Sequence, residues 1–120
     1  MDSMATWLAP LGALITVGLG VFGLLAPLRA AAMVGLAPHE RRGLTELRAT
    51  YGGLFLGMGL ACLLWPQPAA YAVASLAWGG AAAARLISMA VDRNPSWLNA
   101  GGVLLEGLLG VLLWTGMRGT

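Results

Sequence analysis

The chain has 120 residues, of which 58% are hydrophobic and only 10% charged, and its mean hydropathy is +0.77. A soluble domain usually carries about 25% charged residues, so charges this sparse exclude a water-facing surface and make lipid the solvent for most of the protein. The net charge of +2 comes from arginines set against five acids; no basic stripe is present that could track phosphates, which excludes nucleic acid as a partner.

A hydrocarbon core about 30 Å thick is crossed by roughly 20 apolar residues in a helix. Residues Met1 to Met4 lack the positive flank of a signal peptide, and the apolar stretch after them is too long for its core, so it reads as a retained first span. No charge occurs between Asp2 and Arg29, which predicts a helix over 5–26, ended by Pro27. The following segment, 28–36, has Arg29 near its start and Gly35 near its end. It reads either as a short interfacial helix or as a prolongation of a tilted first helix.

The charge-free run between Arg48 and Arg85 is too long for one span and is broken at Trp65-Pro66-Gln67-Pro68. Two prolines around a Gln stop a helix and force a turn, and they place Trp65 and Tyr71 at the headgroup level. The run is therefore expected to be a helical hairpin with arms over 44–65 and 69–91. After Asp92-Arg93-Asn94-Pro95, Ser96 offers an N-cap. The last apolar stretch, 97–117, is interrupted only by Glu106. The expected architecture is one all-α transmembrane domain over 1–120, a four-helix bundle.

Arg29, Arg41, Arg42 and Arg48 fall in or beside the first loop and Arg93 in the third, whereas the second loop has none. Positive-inside bias then expects loops one and three in the cytoplasm and both termini on the outer, periplasmic side of a bacterial inner membrane, with Arg118 as the exception. Among the 18 glycines, Gly53 and Gly57, Gly79 and Gly80, and Gly102 and Gly110 stand where small residues would let helix backbones approach. No long internal repeat is evident.

A charge at mid-bilayer costs about 3 kcal/mol or more and is normally paired or faces a cavity. Glu106 lies roughly 13 Å beyond Trp97, near the midplane, and Arg85 roughly 10 Å before Asp92 on the preceding helix. Their depths match and their helices are antiparallel neighbours, so Arg85 is the expected partner of Glu106. Helical spacing puts Arg85, Ser88, Met89 and Asp92 on one face, and Asn99, Gly102, Glu106 and Gly110 on another. The second helix contributes Glu46 with Thr50 and Gly53, then Arg48 with Tyr51, Gly52 and Phe55. Trp78, one face with Arg85, is placed to roof a pocket. The candidate ligand-binding set is Glu46, Arg48, Tyr51, Trp78, Arg85, Ser88, Asp92, Asn99 and Glu106. The same set reads equally well as an ion-pair network that fixes helix register. A single His39, in a loop, and a single Cys62 offer no metal site, and no haem or nucleotide motif is present; the cofactor is unknown.

The run Glu46-Leu47-Arg48-Ala49-Thr50-Tyr51-Gly52-Gly53, then Arg85 with Ser88, Asp92 and Pro95-Ser96, and finally the isolated Glu106, resembles the bacterial integral-membrane family catalogued as domain-of-unknown-function family 4345. The resemblance spans nearly the whole chain and implies four helices of about these lengths, with no activity to transfer. The chain is also distantly similar to DoxX-type four-helix membrane proteins, some of which are associated with quinone-linked oxidation.

Three functions are compatible with these residues. The leading one is a binding or accessory protein that holds a lipid, a quinone or another apolar small molecule, or docks as a homo-oligomer or within a larger membrane complex. The second is a membrane-embedded isomerase in which Glu106 or Glu46 moves a proton and Arg85 or Arg48 stabilises negative charge. The third is a proton-coupled exporter built on the intramembrane Glu106. Without a recognisable nucleophile, metal or phosphate motif, the balance leans away from an enzyme.

Overall fold

The computed structural model describes residues 3–93 and 95–117; Asp2, Asn94 and Arg118, invoked above, lie outside the described residues. The first helix, α1 (Ser3–Leu25), stops before Pro27, because a proline pushes the preceding residue out of the helical region and Ala26 sits at φ −134°, ψ 62°. Pro27 does not merely end α1. It opens α2 (Pro27–Met33), at the position where a helix needs no N–H. Gly35, at φ +78°, closes α2 in the left-handed region that glycine adopts without strain. There the Leu36 N–H donates to Ala31 O at 2.8 Å and the Gly35 N–H to Ala32 O at 3.1 Å. Of the two readings of this segment, the separate short helix is the one found.

The second span, Arg41–Leu64, is continuous but not uniform. It begins as α3 (Arg41–Leu47), widens into a π-helical stretch (Arg48–Leu54) and resumes as α4 (Phe55–Leu64). After the proline-bracketed turn comes α5 (Pro68–Val91). Ser96 then caps α6 (Trp97–Met117), its Oγ accepting the Asn99 N–H at 3.1 Å. The described residues are all-helical, without a strand, and four of the helices are long and apolar enough to cross a membrane. The molecule is 48 Å long, against about 40–45 Å for a bilayer with its headgroup regions. Leu76, Leu104 and Val111 project outward, unburied. This is a membrane protein.

In lipid, helices associate through close packing and interhelical hydrogen bonds, since apolar side chains gain nothing by leaving apolar solvent. α1 is the spine of the arrangement and packs on the second span and on α6, while α6 packs on α5. A Cβ added at Gly20 would lie 2.9 Å from Gly52 O, and one at Gly23 would strike the Tyr51 carbonyl, so α1 meets the π-helical stretch backbone to backbone. Gly59 lies equally close to Ala13 and Val17. Hydrogen bonds join the remaining helices. Trp78 Nε1 donates to Thr16 Oγ1 at 3.0 Å, Thr16 donates in turn to Gly12 O at 2.8 Å, and Ser75 Oγ donates to Gly110 O at 2.7 Å.

Two expectations are corrected. Tyr71, expected among the interface aromatics, is buried between helices, because Gly116 on α6 has no side chain to keep its ring out. Gly57 and Gly80 face open space and Gly53 meets no neighbouring helix, whereas the close backbone contacts belong to Gly20, Gly23, Gly52 and Gly59. Of the glycines singled out by spacing, Gly110 does approach a neighbouring backbone, at Gly79.

The contrast is measurable. Gly20→Ala should cost about 1–3 kcal/mol or more of stability through overpacking, read as a lower unfolding midpoint in detergent micelles. Gly57→Ala should leave that midpoint where it is.

Candidate functional site

Although α4 and α5 are consecutive in the chain and joined by a short turn, they pack on each other much less than either packs on its other neighbour. They meet at the turn, where Cys62 Sγ lies 3.6 Å from Ala70 O, and through Phe55 and Trp78, whose ring centroids are 4.7 Å apart. Between them lies a groove of about 1100 Å³. Small residues, Gly53, Gly57 and Ala61 on the second span and Ala77, Ala81 and Ala84 on α5, open its walls between larger ones such as Leu54, Met58, Val73 and Met89. Gly53 and Gly57, which do not pack against another helix, therefore help to shape a cavity. From Ala70 to Met89 the groove follows α5 for roughly 28 Å at 1.5 Å per residue, about the thickness of the hydrocarbon core.

The groove is apolar along most of its length and polar at one end. Thr50, Tyr51, Arg85, Ser88, Asn99 and Glu106 all line it there, on the side of the first and third loops. At the centre of this end, the Arg85 guanidinium grips the Glu106 carboxylate side-on, Nε to Oε1 and Nη2 to Oε2, each at 2.9 Å. Nη1 donates to Asn99 Oδ1 at 3.2 Å. The pairing inferred from matching depth is present. Charge-assisted, two-pronged bonds are the strongest of the ordinary hydrogen bonds, and the pair cancels both charges where lipid would tolerate neither alone. Gly102 makes the geometry fit, since a Cβ there would lie 2.7 Å from Arg85 Nε.

Beside the pair stands an aromatic wall. Tyr51 meets Phe55 edge to face at 5.8 Å between centroids, and Phe55 leans on Trp78. The wall and the ion pair separate the groove from a second, smaller cavity of about 110 Å³ beneath α2, which Phe22, Met33 and Val34 close from the far side. Tyr51, Phe55, Trp78, Arg85 and Glu106 thus border both cavities.

The candidate residues divide clearly. Tyr51, Trp78, Arg85, Ser88, Asn99 and Glu106 come together on the groove. Glu46, Arg48 and Asp92 do not line it and are exposed; Asp92 accepts a hydrogen bond from Ser88 Oγ at 3.3 Å. The π-helical stretch moves the faces read from regular α spacing, because each wide turn holds more than 3.6 residues. Thr16 was missed as part of the site, and Phe55, named on the Tyr51 face, was left out of the candidate set. Thr16 orients Trp78 from inside α1, and its only signal in the sequence is a hydroxyl in the middle of an apolar span. Among the described residues, no three of His, Cys, Asp and Glu gather to hold a metal.

Removing one partner of a buried pair leaves an uncompensated charge, at about 3–5 kcal/mol, whereas replacing both with apolar residues is often close to neutral. Glu106→Ala should therefore destabilise the protein by about that amount, and Arg85→Met with Glu106→Met should recover most of the loss. Unfolding titrations in mixed micles of increasing denaturing-detergent fraction would read both, and equal losses in single and double variants would refute the assignment.

No match was found among curated proteins or among solved structures. One family profile does match, described as "Domain of unknown function (DUF4345)", over residues 4–117. Those residues hold the ion pair, the aromatic wall and the whole of the groove, and the chain belongs to that family.

Proposed function

We propose that this protein holds an amphipathic molecule, a lipid or a quinone, in the groove between its second and third spans, with the tail along α5 and the head at the Arg85 and Glu106 end. The observation that carries this reading is the groove itself: a cavity of about 1100 Å³, apolar along its length, that ends on a fixed cluster of hydrogen-bonding groups. Ligand sites are typically apolar clefts with a few convergent polar groups. Binding is a better use of this geometry than proton-coupled export or acid/base catalysis, because the Glu106 carboxylate already takes two guanidinium hydrogen bonds. It serves as a fixed recognition element. An accessory role in a larger membrane complex is compatible with the same site, the bound molecule then passing to or from a partner.

The protein purified in a mild detergent should carry such a molecule, detectable by native mass spectrometry. Ala77→Trp, which fills the groove from α5, should reduce that load at least about tenfold, equivalent to about 1.4 kcal/mol, without lowering the unfolding midpoint. An equal load in both proteins would count against the groove as the site.

We place the protein in a bacterial inner membrane with the first and third loops in the cytoplasm, on the strength of their arginines and the lack of any in the second loop. The polar end of the groove then opens toward the inner leaflet. A cysteine introduced at Arg41 should react with a membrane-impermeant maleimide only after the inner membrane is permeabilised, and one at Gln67 should react beforehand. The opposite pattern would invert the orientation.

A further inference from the structure

The polar end of the groove carries more than polarity, because its hydrogen-bonding capacity and its charge can be counted separately. A guanidinium has five N–H groups. In Arg85, three of them are engaged: Nε–H and one Nη2–H with Glu106, and one Nη1–H with Asn99. Two donors, one on each terminal nitrogen, remain without a protein acceptor among the described residues. The Tyr51 phenol lines the same end of the groove as Arg85 and adds a hydroxyl that both donates and accepts. The charge is spent, since the guanidinium and the carboxylate neutralise each other in a two-pronged contact. The end of the groove therefore offers hydrogen-bond donors with no net charge.

We infer that the groove selects an amphiphile with an uncharged head group whose oxygen accepts hydrogen bonds, a ketone, an ester or a hydroxyl, and that it discriminates against amphiphiles with a full charge. This rests on the groove-binding reading above and names the ligand class for that site. An anionic head would compete with Glu106 for Arg85 and face its carboxylate, and a cationic head would face the guanidinium in return. Either must leave water or the headgroup region without a free counter-charge to meet it, which is strongly unfavourable for an ion in an apolar medium. A neutral carbonyl or hydroxyl loses only its hydrogen bonds to water and regains them from the two free guanidinium N–H groups. The apolar stretch from Ala84 back to Ala70 takes the hydrocarbon chain.

Trp78, on the wall of the groove, reports occupancy directly. With Trp7, Trp65, Trp97 and Trp114 replaced by Phe, the remaining fluorescence comes from Trp78, and chain-brominated amphiphiles quench it on contact. The probes are a monoacylglycerol, an ionised fatty acid and an alkyltrimethylammonium of equal chain length, titrated into the protein in nanodiscs. The monoacylglycerol should quench saturably, with an apparent Kd at least about tenfold below that of either charged probe, equivalent to about 1.4 kcal/mol. Native mass spectrometry of the unsubstituted protein with the same probes should give the same ranking. Glu106→Gln, which leaves the guanidinium uncompensated, should shift preference toward the fatty acid by at least about tenfold. Stronger binding of a charged probe by the unsubstituted protein, or an unchanged ranking in Glu106→Gln, would overturn the head-group inference and leave groove binding intact. Absence of saturable quenching by every probe would remove the groove-binding reading and this inference with it. Cross-linking between copies through a cysteine at Ala77, with loss of quenching, would assign the groove to a second copy of the chain and overturn the inference.

Discussion

A single ion pair holds the polar end of this protein together. Neither Arg85 nor Glu106 would be tolerable alone at its depth in hydrocarbon, and each makes the other possible. Their two-pronged contact ties α5 to α6, and Asn99 extends it toward the start of α6. The constraint reaches further than the pair. Gly102 has to be small so that the guanidinium can lie against α6, and the Trp78 indole, one face with Arg85, is held by Thr16 of α1. Charge neutralisation, a missing side chain and a hydroxyl in an apolar span therefore belong to one solution.

The rest of the packing follows from the weakness of other forces in lipid. With no hydrophobic drive between helices, the second span is held to α1 by backbone proximity, through Gly20, Gly23, Gly52 and Gly59. The π-helical stretch Arg48–Leu54 lies at that contact, with the carbonyls of Tyr51 and Gly52 directly against α1. On the opposite side of the same stretch, Thr50, Tyr51 and Gly53 face the groove. One irregular segment thus fixes the second span to its neighbour and shapes the cavity wall. Irregular turns inside helices often mark functional positions.

Much of this was legible from the chain, for reasons that can be named. The turn at Pro66 and Pro68 and the end of α1 before Pro27 follow from proline geometry, which is local. The Arg85 and Glu106 contact follows from depth and adjacency, since a lone charge in a span must find its partner at the same level. What stayed illegible depends on tertiary detail. The π-helical stretch has no simple sequence signature, and Glu46 and Arg48, before it and at its start, lie beyond the groove, whose lining on this span begins at Thr50. Spacing alone also could not tell which glycines approach a backbone and which, like Gly53 and Gly57, leave an empty wall. Tyr71 shows the same limit: its burial depends on Gly116, far away in the chain, which leaves room for its ring.

The weak contact between α4 and α5 has a consequence for how any occupant reaches its place. The molecule resembles a partly open book, with α1 and α6 along the spine and α4 and α5 as the free leaves, so the opening faces the bilayer sideways. A lipid-soluble molecule arriving there never crosses water and diffuses in two dimensions. Were the groove a binding site, the quantity governing its occupancy would be the ligand's mole fraction in the membrane. Under the proposed function, a site open to such a supply would need little affinity to stay filled.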